Sequence, residues 1–117
     1  MSFSVVPSDK FKKEAKRLTK KYPSLKTELA SLAQILSANP ETGTALGDGM
    51  YKIRLAIKSK SKSKGKGKSG GARVITYVMT EDGEVYLLTI YDKSEFDSVD
   101  DKTLEQVIKT LDTGTRD

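Results

Sequence analysis

Residues 50–93 read MYKIRLAIKSKSKSKGKGKSGGARVITYVMTEDGEVYLLTIYDK, and the fold turns on how they are parsed. The first part alternates: Tyr51, Ile53, Leu55 and Ile57 fall on one side, Lys52, Arg54, Ala56 and Lys58 on the other. A period of two is that of a strand with one buried face. It leaves Lys52 and Arg54 about 7 Å apart along the open face. Two later runs, Arg73–Thr80 and Val85–Tyr91, are apolar on both sides and read as central strands. Glu81-Asp82-Gly83-Glu84 joins them, and Asp-Gly between β-rich runs signals a two-residue hairpin. With Asp82 and Gly83 at the tip, the expected register sets Tyr77 opposite Leu88, Ile75 opposite Ile90 and Arg73 opposite Asp92.

The first two of these strands are separated by residues 58–71, KSKSKSKGKGKSGG. Lys58, Lys60, Lys62, Lys64, Lys66 and Lys68 alternate with serine and glycine. Such a segment has nothing to pack and repels itself, so it is expected to be a flexible basic loop. Its length is unusual for a connection within a compact domain, where long loops are functional or disordered.

Outward toward the N-terminus, Ser2–Val6 is an apolar segment ended by Pro7, which suits an edge strand because proline donates nothing to a ladder. Ser8 is an N-cap for a helix whose Phe11, Ala15, Leu18 and Tyr22 share one face. Tyr22-Pro23-Ser24 breaks it, and Ser24 is placed to cap a second helix. There Leu25, Leu29, Leu32 and Leu36 form the apolar face, widened by Ala33 and Ile35, before Asn39-Pro40 ends it. Residues 41–49, ETGTALGDG, read as a glycine-rich loop. Toward the C-terminus, Ser98 or Asp100 caps a last helix with Leu104, Val107, Ile108 and Leu111 on its apolar face; Gly114 suits its end. Residues 112–117 read as a tail. The expected architecture is one α+β domain over residues 1–117. Its antiparallel sheet is covered by an N-terminal helical hairpin, in the order β-α-α-β-β-β-α.

Composition narrows the chemistry. The chain has 117 residues, no Cys and no His. Disulfides, thiolate metal sites and thiol nucleophiles are excluded, as is the commonest acid/base near neutral pH. No window approaches the length of a bilayer span, and the N-terminus has no secretory pattern, so the cytoplasm is the expected location. The net charge of +5 is unevenly spread: +3 over residues 1–49, +9 over 50–80 and −7 over 81–117. A polyanion would be drawn to the middle segment, although a charge run by itself is as easily a solvated surface.

In this order of elements, YKIRLAI (51–57), SGGARVITYV (69–78) and VYLLTIYDKSE (85–95) resemble the RelE/ParE superfamily of bacterial toxins. The resemblance runs from Phe11 to about Leu111 and is closest to the HigB-type branch of RelE-like mRNA interferases, which carries a comparable KIR, basic loop, GG-x-R and YLLTIY-x-K-x-E sequence. It implies a small RelE-like fold and a messenger RNA endoribonuclease that usually acts in the ribosomal A site, without metal or organic cofactor. It also implies a cognate antitoxin with a helix-turn-helix domain, through which the complex reaches DNA. Lys52 and Arg54 match the family's basic pair on one strand, Arg73 the arginine opening the next, and Lys93 a basic residue after the last. The family's later tyrosine is unmatched, since Ser94 and Phe96 or Asp97 stand in that region; Tyr91 is the nearest substitute.

These residue types suit cleavage in which the RNA 2′-hydroxyl attacks its adjacent phosphorus. Arg73 and Arg54 would hold the phosphate, Lys52 act as base, and Lys93 support the leaving group or the phosphate. The loop lysines are expected to tether ribosomal RNA. A salt bridge from Arg73 to Asp92 and a solvated outer face for Lys52 and Arg54 are the structural alternatives. The functional alternatives are a ParE-like gyrase inhibitor, a non-catalytic RNA-binding domain and a degenerate toxin.

Overall fold

The computed structural model of the chain describes residues 2–61, 71–96 and 98–115. The elements are β1 (Ser4–Pro7), α1 (Asp9–Lys21), α2 (Leu25–Ala38), β2 (Thr44–Gly47), β3 (Met50–Leu55), the single turn α3 (Lys58–Ser61), β4 (Ala72–Met79), β5 (Glu84–Asp92) and α4 (Asp101–Thr115). The five strands form one open sheet in the order β1-β5-β4-β3-β2. The α+β architecture is the expected one, with a helical hairpin, a sheet and a final helix.

The sheet differs from the expectation in being mixed. β1 runs parallel to β5, with Val5 beside Val85 and Val6 beside Tyr86, while the other pairs are antiparallel. A parallel partner needs a long crossover, and the α1–α2 hairpin supplies it. β1 is at the edge, as Pro7 required, and β5 and β4 are central. β2 lies inside the segment expected to be a loop; its four residues are all exposed, so no buried period announced it.

Two layers of side chains cover the sheet. On the hairpin face, Phe11 and Leu18 of α1 and Leu25, Leu32 and Leu36 of α2 pack on Ile53, Val74, Val85, Leu87 and Ile90. Ser8 caps α1 through the Phe11 amide, and its hydroxyl also donates to the Leu88 carbonyl at 2.9 Å, tying the helix start to β5. On the other face, Leu104 and Val107 of α4 join Met50, Ile75, Tyr86, Leu88 and Tyr91. Asp100 caps α4, accepting from the Thr103 amide at 3.0 Å.

Several local expectations change. Ser24 does not cap α2 with its side chain; its hydroxyl meets the Glu28 carboxylate and Ser59 instead. Ile35 does not widen the buried face but is 48% exposed. β3 ends at Leu55, although Ile57 remains buried. The β4–β5 connection is a 3-10 turn over Thr80–Asp82 closed by Gly83 at φ 66, not a two-residue hairpin. The turn sets Tyr77 opposite Tyr86, and a bulge between Ile75 and Thr76 takes back one residue of that shift, so Ile75 stands opposite Thr89 and Arg73 opposite Tyr91. Residues 112–115 continue α4 through Gly114 instead of forming a tail. The basic segment begins with the turn α3, and its residues 62–70, with Lys62, Lys64, Lys66 and Lys68, lie outside the described residues.

Both ends of that segment are anchored. At its start, Ser24 and Ser59 interlock: the hydroxyls are 2.8 Å apart, the Ser59 amide donates to Ser24 Oγ at 2.9 Å and the Ser24 amide to Ser59 Oγ at 3.2 Å. Glu28 accepts from the Lys58 amide at 2.7 Å, capping α3 from another helix. At its end, Gly71 has φ +80, and a Cβ there would lie 2.6 Å from the Leu55 carbonyl oxygen.

Candidate functional site

Alternation along β3 divides its side chains between the two faces. Ile53 and Leu55 join the hairpin-side core, and Met50 packs on the α4 side. Lys52 and Arg54 share Met50's parity and therefore its face. No described residue of α4 lines the basin that they border. They border a shallow basin of about 550 Å³ together with Arg73 of β4 and Lys93 in the turn after β5. Gly43, Thr44 and Leu46, from β2 and the residue before it, form the opposite wall. The four expected cationic residues are thus brought together, and no acidic residue lines the basin among those described.

The register makes the cluster costly. Arg54 is the direct partner of Arg73 across β3 and β4. Opposed residues on adjacent antiparallel strands have Cβ atoms only about 4.5–5.5 Å apart, and like charges so placed destabilise a sheet. Arg73 is also largely buried, at 8% exposure, with Nη1 donating to the Ala72 carbonyl at 3.2 Å. Two guanidiniums from adjacent interior strands thus border one open basin, and their planar forked donors are of the kind that matches phosphate oxygens.

Asp92 is not the cross-strand partner of Arg73. It pairs with Ala72, placing it on the hairpin face, where its carboxylate accepts from the Tyr22 hydroxyl at 2.8 Å and from the Ser94 amide and hydroxyl at 2.9 and 2.7 Å. Burial first, then this hydrogen bond, raises the Tyr22 phenol above its ordinary pKa. Next along the chain, Glu95 accepts from Arg17 at 2.8 Å and Lys21 at 3.2 Å. The Arg17 hydrogen bond is the main cause holding the Glu95 carboxyl below its usual pKa.

Tyr91 does not line the basin. It is 4% exposed and borders a separate cavity of about 440 Å³ beside Glu14, Thr89, Val99 and Thr103, near the start of α4. Glu14 was not anticipated: it accepts from Thr89 Oγ1 at 2.7 Å and the Ile90 amide at 3.1 Å while pairing with Lys10. No sequence pattern marks it, because the contact joins residues 75 apart. The β2 wall of the basin was equally hidden. Of the loop lysines, Lys58 is exposed beside the α2–β3 groove, not in the basin. Among the described residues no helix is long and apolar enough to cross a membrane, and no group of three His, Cys, Asp or Glu side chains is placed to hold a metal ion.

No protein-family model and no curated protein matches the sequence. Among solved structures, the chain is similar to a mutant of the E. coli toxin RelE in the free state, at a TM-score of 0.61 and 17% identity over 95% of this chain and 99% of that one. The likeness spans both chains nearly end to end, and on that ground the protein has the RelE fold.

Proposed function

We propose that the chain is the toxin of a type II toxin–antitoxin pair, acting as a metal-independent endoribonuclease on messenger RNA at the ribosome. The observation that carries this reading is the basin in which Lys52, Arg54, Arg73 and Lys93 converge around a like-charged cross-strand arginine pair. The RelE fold supports it.

In this scheme Arg54 and Arg73 bind the non-bridging oxygens of the scissile phosphate. Lys52 takes the proton of the 2′-hydroxyl as the 2′-oxygen attacks phosphorus. Lys93 faces the departing 5′-oxygen and gives it a proton as the P–O5′ bond breaks, leaving a 2′,3′-cyclic phosphate and a free 5′-hydroxyl. The arginines keep their charge throughout and stabilise the crowded phosphorane where charge accumulates. Tyr91 stays outside this set, because it borders the neighbouring cavity instead of the basin. A site without histidine relies heavily on the alignment of its substrate, which favours RNA already held in the ribosomal A site. The lysines of residues 58–68 act as a salt-sensitive tether to ribosomal RNA. The HigB-type resemblance of the sequence supports an antitoxin with a helix-turn-helix domain as partner, with DNA reached only through it and the cytoplasm as the place of action.

The test is to induce the chain alone and together with its neighbouring gene, and to map RNA ends. Growth arrest with messages ending in cyclic phosphates, relieved by the neighbour, is the expected result. Arrest with DNA damage and intact messages would assign the protein to gyrase inhibition, and absence of arrest would leave a binder or a relic.

A further inference from the structure

Three of the four basin cations ride on strands. Lys52, Arg54 and Arg73 have backbone partners on β4, β3 and β5, so the ladder fixes where their side chains begin. Lys93 does not. The last pair of the β4–β5 ladder is Ala72 with Asp92, and Lys93 follows it. The turn that carries it is held from both sides.

On one side lies the fully buried carboxylate of Asp92, which has no part in the chemistry above. Its Oδ1 draws in the Ser94 amide and hydroxyl, and its Oδ2 takes the Tyr22 hydroxyl, with Lys21 at 3.9 Å. The Asp92 carbonyl accepts from the Glu95 and Phe96 amides at 2.9 and 3.1 Å. Glu95 completes the hold through Arg17 and Lys21. On the other side, the Lys93 amide donates to the Gly71 carbonyl at 3.1 Å, at the point where Gly71 passes hard against Leu55. The residues before and after Lys93 are thus gripped from the end of α1, while Lys93 itself lines the basin.

We propose that Asp92 and Glu95 are positioning residues for Lys93: with Tyr22, Ser94, Arg17 and Lys21 they fix the turn after β5 so that the Lys93 ammonium is held in the cationic basin beside Arg73. The proposal rests on the ribonuclease reading above. It assigns a use to the end of α1, which otherwise only covers the sheet. A purely structural tie between α1 and β5 would show the same contacts, but it would not act through Lys93.

A double-mutant cycle separates the two. Asp92→Asn, Glu95→Gln and Ser94→Ala are made in the full chain, each with Lys93 present and with Lys93→Ala, and single-turnover cutting of message on programmed ribosomes is measured. Asp92→Asn should slow the cutting step about 100-fold, as expected for a misplacement near 1 Å, with KM little changed; Glu95→Gln and Ser94→Ala should slow it by smaller factors. In the Lys93→Ala background none should slow it further. Equal losses in both backgrounds, or no loss with Lys93 present, overturn the proposal. Glu95 and Ser94 are exposed, so their variants keep the cycle readable if Asp92→Asn fails to fold. Should the parent protein cut nothing, the ribonuclease reading falls by itself. The positioning claim is then read by NMR of the ¹³C-methylated lysines. A Lys93 signal that narrows in Glu95→Gln upholds it, and an unchanged one overturns it.

Discussion

The hairpin face of the sheet is apolar under two helices, whereas the α4 face is apolar at Met50, Ile75, Tyr86 and Leu88 and cationic at Lys52, Arg54 and Arg73. The same strands build both. Ile53 and Val74 point into the hairpin core, while Arg54 and Arg73, one residue along each strand, point the other way. One face thus obeys the logic of burial, with each large side chain contributing about 1.5–3 kcal/mol. The uncovered corner of the other face violates a rule of sheet stability by opposing two arginines. Where packing would have favoured a neutral pair, the chain keeps charge, and the proposed site rests on that contrast and not on the lysine-rich segment.

The largest expected effect tests the covered face. Leu18→Ala, at a fully buried position, should cost about 2–5 kcal/mol in denaturant unfolding and leave cutting per folded molecule unchanged. Arg73→Ala should do the reverse. Loss of one such charge-stabilising donor lowers the cutting rate about 10²–10³-fold, and circular dichroism should show a folded protein. If Arg73→Ala cuts at the parent rate, the basin is not the site. Arg54→Gln sharpens the contrast further: relieving the opposed charges should raise stability by about 0.2–1 kcal/mol while cutting falls. A drop in stability instead would mean that the pair is already compensated within the protein.

The smallest effect is a pH dependence at the end of α1. The folded Glu95 carboxyl titrates below its ordinary value of 4.5 because Arg17 donates to it. Its contribution to stability is therefore complete above that ordinary value and is lost as pH falls through the lower, folded one. Glu95→Gln should flatten the acid limb of a stability–pH profile there, lying slightly below the parent in the neutral range and meeting it at the acid end.

Much of this contrast was legible in the sequence, for reasons that can be named. The period of two over Tyr51–Leu55 separates the two faces of β3 by itself, and the leucines of α2 fix which side the hairpin covers. Lys52, Arg54, Arg73 and Lys93 were identifiable because the resemblance to RelE-like toxins attaches to short runs around each. The register was not legible. An Asp-Gly tip predicts Arg73 against Asp92, but the 3-10 turn and the bulge at Ile75–Thr76 move the pairing and send Asp92 to the hairpin face. Both devices depend on backbone geometry that no residue type dictates. β2 escaped because a fully exposed edge strand carries no apolar period, and the Tyr22–Asp92 and Glu14–Thr89 contacts join residues too distant in sequence for any pattern to link.

The serine interlock at Ser59 and the close passage at Gly71 have a consequence for how such a protein can change over time. Each end of the basic segment is pinned to the body on its own: one to the break between α1 and α2, the other to the seam of β3, β4 and the Lys93 turn. Doubling the length of a closure between two fixed ends costs only about 0.6 kcal/mol when the closure is flexible, so gain or loss of lysine repeats between the pins is expected to leave both attachments in place. The count of lysines in that segment can in this sense vary by insertion and deletion separately from the basin at Arg54 and Arg73.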